Sequence, residues 1–308
     1  MNPVQTRPSA RDPRAGTTLS SLVHLALPKG RMETTVLRLL ADAGIHVRAE
    51  ARGYRPRLSL EGFETKQLKP QNIVGMLAAG SRDLGFAGAD WVAEQGAELV
   101  LLLDTGLDPV RIVVAASTTL LVDGALPVRP ADRPLVVASE YERLTRAWIA
   151  ARAPGALFVR SFGATEVFPP EDADVVVDNT ATGSTLQANG LTIVEEVMRS
   201  STRLYANPRA LDEPGKRAAI EGLVLCLRAV LAARDRAMVE LNVGTADLER
   251  VVAALPCMRE PTVASLHSHA GFAVRAAVPR RELPRLVPLL KSCGATDIVV
   301  SACEQIVP

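Results

Sequence analysis

Residues 174–190 read DVVVDNTATGSTLQANG. An apolar run at 175–177 ends on an acid, Asp178, and a short polar loop follows. Thr182, Gly183, Ser184 and Thr185 then open a helix. A buried strand that turns through glycine into a helix is the repeating unit of an α/β layer. Backbone N–H groups at such a turn point outward unpaired and carry the positive end of the helix dipole. Gly183 admits a ligand close to the backbone, and the hydroxyls of Thr182, Ser184 and Thr185 add donors. The arrangement suits a phosphate dianion, and the acid upstream can accept from the vicinal hydroxyls of a ribose. Asp174 and Asp178 lie four apart on one strand, so about 13 Å separates them and they cannot grip one ribose. Asp178, beside the loop, is the functional candidate; Asp174 reads as a strand-entry residue.

Working outward, strands and helices alternate. LVHLAL (22–27) reads as a strand ending at Pro28, and residues 31–43 as a helix closed by Gly44. Residues 71–79 read as a helix, DLGFAG (83–88) as a buried strand and 90–95 as a short helix. LVLLLD (99–104) and VRIVVAAS (110–117) read as two strands. A Pro-rich stretch at 123–134 suggests the crossing into a second lobe, where 134–139, 157–162 and 174–179 read as strands. Residues 216–236 form the clearest helix, with Ile220, Leu223, Val224, Leu227, Val230 and Leu231 on one stripe. The β-α-β-β-α-β order over 238–302 is the ferredoxin-like unit and predicts a further domain.

The chain has 308 residues, with 35 Lys plus Arg against 34 Asp plus Glu, a formal net charge of +1. That balance argues against a dedicated nucleic-acid binder, and 4% aromatics argue against base-stacking platforms. Cys226, Cys257, Cys293 and Cys303 show no zinc or redox spacing, and three of the four sit in apolar contexts and read as small core residues in a reducing cytosol. No uncharged apolar run is long enough for a membrane helix, and residues 1–20 lack a secretory core. A cytoplasmic location and a disordered extension over 1–20 are expected.

LPKGRM (27–32) places Lys29 and Arg31 between a strand and a helix, where loops at strand carboxyl ends line a ligand crevice. Two cations there suit a pyrophosphate or triphosphate. His267 and His269 share a strand side but have no third ligand, so a solvated strand end is expected rather than a metal site. Adjacent Glu195 and Glu196 face opposite ways on a strand, which argues against a paired-carboxylate mechanism. No nucleophile-elbow serine or base-paired cysteine stands out.

LALPKGRM, DLGFAGADWV, the VVAS-Y-x-x-LTR stretch at 136–146, FGATEV and DVVVDNTATGSTLQANGL, with PTVASL (261–266) and the closing EQIVP, resemble the ATP phosphoribosyltransferase family. The resemblance runs from about Leu22 to Pro308. It implies transfer of phosphoribosyl from phosphoribosyl pyrophosphate (PRPP) to ring nitrogen 1 of ATP, with Mg²⁺, as the first step of histidine biosynthesis. It implies a two-lobed α/β catalytic region like type II periplasmic binding proteins, followed by a ferredoxin-like (ACT-like) regulatory domain that binds histidine as inhibitor. The expected division is lobe I over 21–117 with 203–236, lobe II over 118–202 and the regulatory domain over 237–308. Carried over by position, Asp178, Thr180, Ala181, Thr182, Gly183, Ser184 and Thr185 hold the ribose and 5-phosphate of PRPP. Lys29 and Arg31 meet pyrophosphate or ATP phosphates, Glu166 is an acid near the substrate, and Asn242 and Thr262 contact histidine. A homo-oligomer, dimer to hexamer, is implied, with no nucleic-acid or membrane partner. The family's Arg-Pro-x-Asp is here Lys69, Pro70, Gln71 and Asn72, which puts nucleotide contacts there in doubt. Two other classes share part of the pattern: a PRPP- or nucleotide-binding sensor and a nucleobase-salvage phosphoribosyltransferase. The loop argues against an amino-acid trap. Salvage enzymes usually place paired acids before it, whereas Asp178 precedes Asn179.

Overall fold

The computed structural model describes residues 22–48, 53–128, 130, 132–267 and 270–307. The expected extension over 1–20 and His269 lie outside the described residues. Strand β1 (Val23–Pro28) is buried at every position but His24, as parallel strands covered on both faces must be. Helix α1 (Glu33–Asp42) follows, then a two-residue pair, β2 (Val47–Arg48) and β3 (Arg57–Leu58). Next come β4 (Phe63–Leu68), α2 (Pro70–Ala78), β5 (Leu84–Gly88), α3 (Ala89–Gln95) and β6 (Val100–Ser117). The second half holds β7 (Val136–Ser139), α4 (Glu142–Arg152), β8 (Leu157–Arg160), β9 (Val175–Thr180), α5 (Ser184–Ala188) and β10 (Leu191–Ala206). Helices α6 (Pro208–Asp212) and α7 (Pro214–Arg234) complete this region.

One eight-stranded sheet has the order β4-β1-β5-β10-β6-β9-β7-β8. In each half three parallel strands meet an antiparallel strand that belongs to both. This is the two-lobed arrangement of type II periplasmic binding proteins. The crossing corrects the expectation from sequence. The two strands read at 99–104 and 110–117 are one, β6, and its partner β10 runs 16 residues. Gly106 and the Asp108-Pro109 step look like strand breaks, but they fall in two irregularities, between Asp104 and Leu107 and between Leu107 and Val110, that the ladder with β10 passes through. Residues 111–116, assigned by sequence to the first lobe, already pair with β9 of the second. The chain therefore crosses within β6 and returns within β10, and the 123–134 stretch lies beyond the crossing. Asp108, at φ 47°, accepts hydrogen bonds from Thr35 of α1 and Thr202 of β10, which ties the bulge to the first lobe.

Helix α7 packs Ile220, Leu223, Val224, Leu227 and Val230 into the core of the first lobe against Leu25, Leu27 and Phe86. Burying side chains of this size contributes about 1.5–3 kcal/mol each before entropy is counted. The chain then enters a second sheet: β11 (Arg236–Val243), α8 (Leu248–Ala254), β12 (Thr262–Ser265), β13 (Phe272–Pro279), α9 (Leu283–Ser292) and β14 (Thr296–Ala302). Its order β12-β13-β11-β14 is that of the ferredoxin-like unit. Strand β11 alternates strictly, with Val239, Leu241 and Val243 under the helices and Met238, Glu240 and Asn242 on the open face. Among the described residues, no helix is long and apolar enough to cross a membrane.

Candidate active site

The carboxyl ends of the parallel strands of both halves converge on the crossing. Gly88, ending β5, pairs with Thr202, and Thr180, ending β9, pairs with Arg111. Crevices at strand carboxyl ends are where α/β sheets bind ligands. Here a cavity of about 350 Å³ is lined by Arg31 from the first half and by Glu166, Asp178, Thr180, Thr182, Ser184 and Thr185 from the second. The structure thus brings together Arg31, Glu166 and the loop that the sequence marked.

The loop is held in shape by its own hydroxyls. Gly183 adopts φ +88°, which L side chains rarely adopt, and donates its N–H to the Thr180 hydroxyl at 2.8 Å. A Cβ there would stand 3.3 Å from Ile193. Ser184 donates its N–H to the Thr182 hydroxyl, which lies 2.9 Å from the Ser184 hydroxyl. Two of the amides read from sequence as outward donors therefore have internal acceptors. The cradle presents mainly hydroxyls, with Ala181 on the cavity wall.

Lys29 departs from the expectation that it stands with Arg31. Its N–H bonds Leu68 O of β4, so the backbone stays extended to Lys29, and its ammonium lies 3.9 Å from the centre of the Tyr54 ring. Gly30, at φ +82°, turns the chain before Arg31, and this separates the two cations.

Asp178 is the most perturbed carboxyl of the site. Burial pushes it up to about 6; the backbone N–H of Asn179 pulls the other way, and the charges of Glu166 and Glu140 raise it further. Glu140, absent from the sequence reading, thus belongs to the electrostatic field of the site. Asp174 instead accepts the N–H of Val136 at the foot of β7, the strand-entry role expected of it.

Tyr141 and Asp90 also escaped the sequence reading. The Tyr141 hydroxyl donates to Asp90 at 2.8 Å and accepts from the Asn179 side-chain amide at 3.1 Å, and its ring stacks on Trp91. Burial, then the Asp90 carboxylate, raises the Tyr141 phenol well above its ordinary range. Both lie in stretches that carry the family resemblance, DLGFAGADWV and VVAS-Y-x-x-LTR, and each follows the end of a buried strand, but no neighbouring residue marks either as functional. Glu195 binds Trp148 and Arg152, while Glu196 binds Arg199, so the adjacent acids do face opposite ways.

On the open face of the C-terminal sheet, Asn242 donates to Asp297 at 3.0 Å. Hydrogen bonds from Asn242 and Thr296 hold the Asp297 carboxyl below its usual range. Thr262 pairs with Arg275, which pairs with Glu240. Asn242 and Thr262 therefore share a face, two strands and two residues apart, a span of about 12 Å.

Comparison with known proteins adds to this geometry. The family model described as ATP phosphoribosyltransferase matches residues 69–229, and one described as "HisG, C-terminal domain" matches 233–305. An ATP phosphoribosyltransferase of Chlorobium phaeovibrioides is 33% identical over 282 residues, 90% of this chain and 95% of the relative. One of Pelotomaculum thermopropionicum is 30% identical over 291 residues, 93% and 99% of the two chains. Among solved structures, a chain of the ATP phosphoribosyl transferase (HisG:HisZ) complex of Thermotoga maritima superposes with a TM-score of 0.59 at 23% identity. That match covers 98% of the Thermotoga chain and 68% of this one, so it supports the fold, and about a third of the present chain lies outside it.

Proposed function

The chain belongs to the ATP phosphoribosyltransferase family, and on that premise we propose that it transfers phosphoribosyl from PRPP to ring nitrogen 1 of ATP and opens histidine biosynthesis. The observation that carries this reading is the single cavity in which Arg31 faces Asp178 and a hydroxyl-rich loop. In this reading the hydroxyls of Thr180, Thr182, Ser184 and Thr185 hold the 5-phosphate, and Gly183 keeps the turn open to it. Asp178 accepts from the ribose hydroxyls through charge-assisted hydrogen bonds.

The bond from the anomeric carbon to pyrophosphate breaks as the bond to ring nitrogen 1 forms, and the electron pair leaves with pyrophosphate. The attacking nitrogen already carries its lone pair, so no strong general base is required. The anomeric carbon becomes oxocarbenium-like, which places the electrostatic demand on the leaving group. Arg31 supplies positive charge there. Lys29 joins it only by leaving the Tyr54 ring.

Mg²⁺ fits this set of oxygens. Asp178 is desolvated in the field of Glu166 and Glu140, an excess of negative charge that a hard cation relieves. Among the described residues, no three His, Cys, Asp or Glu side chains form a metal cage. Mg²⁺ commonly takes one or two carboxylates and completes its shell with phosphate and water. When bound it would neutralise charge on the pyrophosphate, and Asp178 and Glu166 are the cavity carboxylates that would hold it.

The C-terminal sheet is proposed to bind histidine at Asn242 and Thr262 as a feedback site, in a dimer-to-hexamer assembly. One assay tests the whole reading. ATP, PRPP and Mg²⁺ with the protein give an ultraviolet change from N1-substituted adenine, chelation abolishes it, and histidine slows it. Turnover of free bases without turnover of ATP overturns the assignment in favour of a salvage enzyme.

A further inference from the structure

A hydrogen-bonded chain of buried and half-buried side chains runs from the lobe crossing to the acid of the loop, and the chemistry above uses only its last member. Ser200, on β10, donates to Oδ1 of Asp90 at 2.7 Å. The Tyr141 hydroxyl donates to Oδ2 of the same carboxylate at 2.8 Å. The Asn179 side-chain amide donates to the Tyr141 oxygen at 3.1 Å and to Oδ1 of Asp178 at 3.3 Å. The direction is fixed by chemistry. An amide nitrogen can only donate and a carboxylate can only accept, so the Tyr141 proton must point to Asp90.

The chain spans the cleft. Asp90 stands at the start of α3 in the first half; Tyr141 and Asn179 belong to the second. Asp90 and Tyr141 are 5% and 1% exposed, and a buried carboxylate is costly unless donors saturate it. Asp90 satisfies both oxygens with groups outside its own helix. One turn along α3, Glu94 also joins the halves by accepting the N–H groups of Arg143 and Leu144 at the start of α4. Glu94 has no link to Asn179 among these bonds. Glu94 thus carries a lobe contact apart from the loop, whereas Asp90 both bridges the halves and begins the chain to Asn179.

We infer that Tyr141 and Asp90 are positioning residues for the phosphoribosyl donor, fixing the Asn179 amide and through it the orientation of Asp178 across the cleft from Arg31. The inference rests on Asp178 as the ribose-binding acid. Neither Tyr141 nor Asp90 touches the reacting atoms.

The test is Tyr141→Phe, which deletes one hydroxyl and keeps the ring on Trp91. Steady-state kinetics with PRPP and ATP varied separately are read beside the melting temperature. The KM for PRPP rises about 3- to 10-fold, the cost of one lost hydrogen bond, while kcat and the KM for ATP stay within twofold. Glu94→Ala weakens the lobe contact without touching the chain and leaves the KM for PRPP within twofold. An unchanged KM for PRPP in Tyr141→Phe, or an equal rise in Glu94→Ala, overturns the inference. If Tyr141→Phe does not fold, Ser200→Ala carries the test: it removes the outer donor to Asp90 and raises the same constant about 2- to 4-fold, and no change refutes the chain. Turnover by the unaltered protein checks the function separately. If ATP is not a substrate, the function falls, and calorimetric titration of PRPP into the same variants still decides the positioning role.

Discussion

Replacing Asp178 with Asn is expected to stabilise the protein while disabling it. Burial raises this carboxyl from an ordinary 3.8 to about 6. Ionising it in the folded form therefore costs about 2–3 kcal/mol more than in the unfolded chain, since each pH unit is worth about 1.4 kcal/mol. The sign follows from the folded value lying above the unfolded one. The penalty is fully present above about pH 6, shrinks as the pH falls and vanishes below about 3.8. Asn keeps an oxygen for the Asn179 N–H and carries no charge to desolvate. At pH 7.5, without substrate, Asp178→Asn should melt about 4–8 °C higher, and the gain should fade toward pH 4. The same variant loses the charge-assisted acceptor for the ribose hydroxyls, so kcat/KM for PRPP drops about 10- to 100-fold. Thermal melts across pH and initial rates provide the two readouts. A melting point unchanged or lower at pH 7.5, or a gain independent of pH, refutes the burial argument.

The remaining expectations concern the same cleft and the C-terminal sheet. In the unaltered enzyme, kcat/KM for PRPP should fall on the acid side through an apparent pKa near 6 as Asp178 takes up a proton; a flat profile between pH 5 and 8 removes Asp178 from binding. Arg31→Ala should cost about 10- to 100-fold in kcat/KM, and Lys29→Ala less, because only Arg31 lines the cavity; initial rates in which Lys29→Ala is the more damaged reverse that ranking. Asn242→Ala should weaken histidine inhibition about tenfold with uninhibited kcat unchanged; unaltered inhibition curves place the effector elsewhere.

Much of this was legible in the chain. The run 174–190 reads as strand, turn and helix because apolar periodicity and a glycine exit are local signals, and β9 and α5 lie where those signals put them. The β-α-β-β-α-β order of the C-terminal region is equally local. The lobe crossing was misread because Gly106 and Asp108-Pro109 carry the chemistry of a turn. Only a partner strand already in place, β10, turns them into bulges. The separation of Lys29 from Arg31 was invisible for a similar reason: it depends on a hydrogen bond to Leu68 O, 39 residues away in sequence.

The sequence by itself determined the alternation of strands and helices, the loop from Asp178 to Thr185 and the family resemblance, since each is written in neighbouring residues. Tertiary structure alone decided that Arg31 and Asp178 share a cavity, that burial raises Asp178 to about 6 and that Asp90 and Tyr141 meet across the cleft. Those facts depend on which residues, 50 to 150 apart along the chain, lose their water to one another. Desolvation and hydrogen-bond direction belong to that shared environment.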